Sequence, residues 1–188
     1  MTPVTRLERA VLGLLLDRPR TGYDLRRLFD ATPIGNFSGG PGAIYPALRR
    51  LAARRLIGVV RRPRASNRPK ALFRLSAAGR RAIVRWLRQV PARDDVIWDV
   101  EDQMLKLAFM AFAATPAEID RFLHAYACET RAYAAELRGH RAALDLPPVA
   151  RLALDHGIAL YDTRARWAAR ALRARSGRRP RVRKGTTT

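Results

Sequence analysis

The spacing of apolar positions places Leu7, Ala10, Val11, Leu14 and Leu15 of TRLERAVLGLLLD (5–17) on one helical stripe. Pro19 ends this first helix, since it restricts Arg18 and cannot donate to the hydrogen-bond ladder. Thr21 is the expected N-cap of a second helix running to Asp30, with Leu25, Leu28 and Phe29 inward. A loop rich in Pro, Gly, Asn and Ser follows over 31–42. Then GPGAIYPALRRLAARRLI (40–57) sets Ile44, Leu48, Leu51 and Leu56 at helical intervals, and Arg49, Arg50, Arg54 and Arg55 fill positions between them. One face of this third helix must be buried. The other carries cations and small residues, a form suited to a DNA groove.

After Gly58 the period shortens. Val59 to Arg62 reads as a strand, 63–69 as a turn and Lys70 to Leu75 as the returning strand. Ser76 should cap a fourth helix with Ile83, Trp86, Leu87 and Val90 inward. Pro91 to Asp95 reads as a linker, and the dense apolar pattern from Val96 to Ala114 as a single buried helix. Thr115-Pro116-Ala117-Glu118 is a capping box with Pro at the first helical position, so another helix starts there. Within it Ile119, Leu123, Tyr126, Thr130, Tyr133 and Leu137 follow a 4-3-4-3-4 spacing. Beyond Pro147-Pro148 the residues Val149, Ala153, His156, Leu160, Thr163 and Trp167 repeat it. Two antiparallel helices with such seams pack on each other or on a partner chain, and two-fold dimers are the commonest oligomers.

The predicted fold is therefore mainly α. A winged helix-turn-helix (three helices, a two-stranded wing, a fourth helix) occupies residues 1–90. After the linker (91–95), residues 96–174 form an α-helical dimerisation domain, and 175–188 a basic disordered tail. Dimer contacts are expected at Met104, Leu107, Ile119, Leu123, Tyr126, Leu160 and Trp167.

Charge sharpens this division. The 188-residue chain has a formal net charge of +21 and is 48% hydrophobic, ample for a packed core. Residues 1–90 carry 20 Lys and Arg against 4 Asp and Glu, residues 91–169 carry 9 against 12, and residues 170–188 carry 8 against 0. A basic first half beside a nearly neutral second part is the asymmetry expected when one half meets nucleic acid. Arg61, Arg62, Arg64, Arg68 and Lys70 crowd the wing with no acid among them, which favours phosphate contact. The near-absence of lysine is explained well enough by a GC-rich genome. The tail is either a phosphate-seeking arm or an ordinary solvated terminus.

Other chemistry finds little footing. The single cysteine, Cys128, excludes an internal disulfide and a cysteine zinc cage and suits a reducing compartment. His124, His140 and His156 lack paired ligand spacing, and His156 on a seam reads as an interior histidine. Asp99, Glu101 and Asp102 are explained by a helix N-terminus. The glycine-rich Ser38 to Gly42 lacks the Lys-Ser/Thr of a nucleotide loop. No apolar run is long enough for a membrane span and no signal-peptide core is present, so the expected location is the cytoplasm. The protein reads as a non-enzyme with neither cofactor nor metal. Trp86, Trp98, Tyr126, Tyr133 and Trp167 are the candidates to line an effector pocket, against the plainer reading that they are core or dimer contacts.

The segments AVLGLLLDRPRTGYDLRRLF (10–29), PGAIYPALRRLAARRLI (41–57) and RPKALFRLSAAGRRAIVRWL (68–87) together resemble the PadR family of bacterial transcriptional regulators. HGIALYDTRARWAARAL (156–172) is similar to that family's longer C-terminal domain. Ala43 stands where the family usually has Ser or Thr, and Phe73 where Tyr is common. The resemblance implies a homodimeric repressor that binds double-stranded DNA at an inverted-repeat operator, with release by a small aromatic effector in some members. It puts Tyr23, Ala43, Tyr45 and Pro46 on the family motif, with Arg49 and Arg50 on the exposed face of the recognition helix. Tyr45 would bond a phosphate while Arg49 or Arg50 reached base edges; alternatively Tyr45 packs on the second helix and the arginines are a solvated face. Two other readings stay open at this point. One is a non-specific nucleoid or RNA-associated protein driven by charge; the other is a small-molecule carrier or enzyme built on the helical second half.

Overall fold

The computed structural model describes residues 3–32, 42–60 and 71–177. Among them the chain is mainly helical with one small antiparallel sheet, a winged-helix arrangement followed by a helical C-terminal region. It divides into two compact units: Met1–Gln89 with Glu101–Thr115, and Val90–Val100 with Pro116–Thr188.

In the first unit, α1 (Arg6–Asp17) opens on a capping box. Glu8 N donates to the Thr5 hydroxyl (3.3 Å), and Thr5 N donates back to the Glu8 carboxylate (3.1 Å). Leu12, Gly13 and Leu16 are buried along with the expected stripe, so α1 is covered nearly all round. A Cβ on Gly13 would strike the ring of Phe109, which shows what lies on this extra face.

β1 (Arg20–Thr21) was invisible to the hydrophobic pattern, being two residues long. It pairs with β3 (Leu72–Leu75), which pairs in turn with β2 (Ile57–Val60), giving the order β1-β3-β2. The register runs from Ile57 opposite Leu75 to Val60 opposite Leu72, so the first wing strand starts earlier than expected. The wing tip, Arg61 to Lys70, lies outside the described residues.

Thr21 caps α2 (Gly22–Ala31) as expected, in a reciprocal box with Asp24. α3 (Ile44–Ala53) buries Ile44, Ala47, Leu48 and Leu51. Its end is a Schellman turn: Leu56 N donates to Leu51 O and Arg55 N to Ala52 O, both at 2.9 Å, with Arg55 in the left-handed region (φ 55°). Ser76 caps α4 (Ala77–Leu87) by accepting from Gly79 N at 2.9 Å. Val90, expected inward, lies beyond α4 and is exposed.

The stretch 91–114 departs from expectation. The supposed linker holds the start of α5 (Arg93–Trp98), where the Asp95 carboxylate accepts from Ala92 N at 2.9 Å. The chain breaks at Asp99 and resumes as α6 (Val100–Met110), so the single helix over 96–114 is two. Acid-rich first turns (Asp94 and Asp95, then Glu101 and Asp102) suit two separate helix starts, and that is the physical reason for the break. Asp102 is buried and ion-paired to Arg6 and Arg9, which ties α6 to α1.

The second unit is built on α7 (Pro116–Ala143) and α8 (Pro148–Gly177). They run antiparallel, joined by Arg138–Asp162 and Arg141–Asp155 toward the turn and Arg175–Asp120 at the other end. The α7 seam is inward as expected. On α8 most of the predicted seam faces outward: Val149, Ala153, His156, Leu160 and Thr163 are exposed, and Trp167 alone of the six turns inward. Gly157, Ile158, Tyr161, Ala165 and Ala168 take the inner side instead. α8 carries apolar residues on two stripes, and the smaller one lets α7 approach closely. His156 is accordingly a surface residue. α8 also runs to Gly177, so the first residues assigned to a disordered tail are helical; the rest of the tail lies outside the described residues. No helix among the described residues is long and apolar enough to cross a membrane.

Candidate nucleic-acid interface

α3 is fixed from three sides before it presents anything to solvent. Its apolar stripe is buried in the first unit. Its C-terminal turn is clasped by Ser76, whose hydroxyl donates to the carbonyls of Arg55 (2.7 Å) and Leu56 (3.0 Å). Its cationic flank is held by Glu8, which is 1% exposed: Arg50 Nε donates to Oε1 at 2.8 Å and Arg54 Nη1 to Oε2 at 3.3 Å.

Opposite the buried stripe stand Tyr45 and Arg49, one turn apart. Tyr45 is 46% exposed. Arg49 is exposed and makes no ion pair or hydrogen bond with another described residue. Tyr23, on the first turn of α2, is also exposed. Ala43 occupies the N-cap of α3 without a side-chain cap bond, and Pro46 is half-buried in the first turn. Such a set can offer a guanidinium fork and phenol groups to phosphate oxygens or base edges.

The expected pair Arg49 and Arg50 is therefore not equivalent. Arg50 belongs to the Glu8 network. Sequence reasoning missed Glu8, although the T-x-x-E spacing of a capping box was present at Thr5-Arg6-Leu7-Glu8. Arg61, Arg62, Arg64, Arg68 and Lys70 lie outside the described residues.

The predicted aromatics are not one group. Trp86, in the first unit, has Arg9 Cζ and Lys106 Nζ each 5.4 Å from its ring centroid. Lys106 is buried and donates to Gln89 O at 3.2 Å. A cleft of about 180 Å³ lies beside Trp86, lined by Arg9, Leu12, Ile83 and Arg85 among others. That is smaller than the roughly 300–1,000 Å³ usual for ligand sites. Tyr126 and Trp167, in the second unit, do meet, edge to face with centroids 6.1 Å apart, and Tyr126 also stacks on Phe122. Burial holds the Tyr126 phenol above its ordinary pKa. Tyr133 pairs instead with Tyr161 at 4.7 Å, and Trp98 is 76% exposed.

The predicted dimer residues also separate. Leu123 and Tyr126 are buried within the single chain and cannot face a partner, because α7 turns them into its own core. Leu160 is exposed, while Met104, Leu107, Ile119 and Trp167 are intermediate.

Residues 11–85 match the model of the Transcriptional regulator PadR-like family. This segment is similar to that family. It runs from Val11 within α1 to Arg85 within α4, taking in α2, α3, the sheet and Ser76, while Glu8 lies just before it. Similar solved structures include Bacillus subtilis PadR in complex with operator DNA (22% identity, 90% of this chain and 99% of that chain covered, TM-score 0.42). The PadR-like regulator BC1756 from Bacillus cereus is 24% identical, with 89% and 94% covered and a TM-score of 0.40. The Vibrio cholerae virulence activator AphA is 23% identical, with 91% and 98% covered and a TM-score of 0.39. No curated protein gives a significant match.

Proposed function

We propose that this chain is a sequence-specific DNA-binding regulator, acting in the cytoplasm as a homodimeric repressor at an inverted-repeat operator rather than as an enzyme. One observation carries the reading: within a PadR-like segment, α3 turns Tyr45 and Arg49, which has no partner among the described residues, away from a fully anchored core face. The charge of residues 1–90 supplies the attraction to a polyanion. α3 would lie in the major groove, with the wing along the adjacent backbone.

The homodimer part of the proposal is supported by the outward stripe of α8, where Val149 (78% exposed), Leu152 and Leu160 form an apolar face. A second copy would place a second α3 on the same duplex, with half-site centres about 34–36 Å or a multiple apart. A small aromatic effector belongs to the same reading and is tested with it.

The experiment is selection of bound duplexes from a random pool, repeated with aromatic ligands and followed by footprinting. A recovered inverted repeat, protected against bulk competitor DNA, is the expected result. Recovery of no preferred sequence would defeat the reading in favour of charge-driven, non-specific binding.

A further inference from the structure

Burying a carboxylate is costly unless it is paired and hydrogen-bonded. Glu8 satisfies this condition with groups from two helices. Oε1 accepts from Arg50 Nε (2.8 Å), and Oε2 accepts from Thr5 N (3.1 Å) and Arg54 Nη1 (3.3 Å). The cap on α1 would be complete with Thr5 alone. The two arginines belong to α3 and the residue that follows it, and they fall on the flank beside the face that carries Arg49.

We infer that Glu8 is a specificity-determining positioning residue: it neutralises Arg50 and Arg54 from behind and leaves Arg49 as the cation of α3 that has no partner among the described residues. Non-specific DNA binding follows the number of cations free to displace counterions. Base readout depends on a few side chains held in one geometry. A carboxylate that withdraws two of the four arginines over 49–55 lowers the first without touching the second. The inference rests on the proposed DNA-binding function, and its test separates the two.

Full-length wild type, Glu8→Gln and the triple variant Glu8→Gln/Arg50→Gln/Arg54→Gln are titrated with a random-sequence duplex and with the selected operator over a range of salt. Releasing the arginines should tighten random-duplex binding by Glu8→Gln several-fold. The slope of log K against log[salt] should steepen by up to about 0.9 for each arginine released. Discrimination between operator and random duplex should fall. The triple variant should return to the wild-type slope on random DNA.

An unchanged or shallower slope for folded Glu8→Gln overturns the inference, as does weaker binding to both duplexes with no change of slope, the mark of a purely structural role. If Glu8→Gln fails to fold, the triple variant decides. A slope like that of wild type supports the inference, and one shallower by about 1.8 overturns it. If wild type binds random DNA but selects no site, the proposed function fails while the slopes still report whether Glu8 withdraws the two arginines.

Discussion

A Cβ added to Gly22 would lie 2.8 Å from Cε1 of Tyr45 and 3.4 Å from Cδ1 of Leu48. The ring of Tyr45 thus rests on the first turn of α2, and the glycine of Gly22-Tyr23-Asp24-Leu25 is there because that contact leaves no room for a side chain. Tyr45 packs on the second helix, the plainer of the two expectations, and it remains nearly half exposed; the phosphate contact stays part of the proposed function. Gly22→Ala should shift the ring and destabilise the protein by about 1–3 kcal/mol. Tyr45→Ala in the same chain should recover part of that loss. Thermal denaturation of the two single variants and the double tests the coupling, and strictly additive losses would contradict the contact.

The hinge between α3 and the sheet gives a second expectation. A Cβ on Gly79 would run into the Leu56 carbonyl, which is backbone and cannot turn aside. Ser76 N donates to that same carbonyl at 3.0 Å. Gly79→Ala should therefore cost more than Ser76→Ala, which loses a cap of about 1 kcal/mol. Urea unfolding ranks them, and the reverse order would show that the hinge relaxes freely.

These cases show what the linear pattern could convey. Caps were readable from the residue type at the cap itself, Thr21 and Ser76, whose hydroxyls accept from the backbone N–H three residues on, and from Pro116 at a first turn. The inward faces of α3 and α7 were readable because each has one dominant stripe, whereas α1 is covered nearly all round and its expected stripe was only part of what it buries. α8 has two, and spacing does not say which one α7 covers. β1 is too short to alternate. Glu8 was missed because its partners lie 42 and 46 residues away, and periodicity carries no information about such pairs. The difference between Arg49 and Arg50 was lost with it.

The left-handed Arg55 closing α3 offers a stabilising change. An L side chain in that region costs roughly 1–2 kcal/mol, which glycine avoids. Glycine gives back part of this by loosening the unfolded chain. Arg55→Gly should then raise stability by about 0.5–1 kcal/mol, seen as a higher Tm with unchanged circular dichroism. A lower Tm would mean that the arginine side chain stabilises this turn by more than its backbone strain costs.

In the second unit, α5 is fastened to α7 by Arg93, which donates to both carboxylate oxygens of Glu136, the Nε bond being 3.2 Å. Arg93 also lies 5.3 Å from the Tyr133 ring centroid. The hydrogen bonds from Arg93 hold the Glu136 carboxyl below its ordinary value of 4.5, against a smaller opposing effect of desolvation, and Glu136 raises the pKa of Arg93 in return. Because the folded-state value is the lower one, the unfolded chain takes up the proton first as the solution is acidified. The pair therefore stabilises the fold above about pH 4.5, and that contribution is lost as the pH falls through the depressed value. Arg93 stays protonated throughout and opens no second window. Glu136→Gln should lower Tm at pH 7 by a small, salt-sensitive amount, since both side chains are substantially exposed. The gap to wild type should narrow as the pH falls below 4.5. A gap of equal size at pH 7, 5 and 3 would show that the variant acts through packing and not through the charge on Glu136.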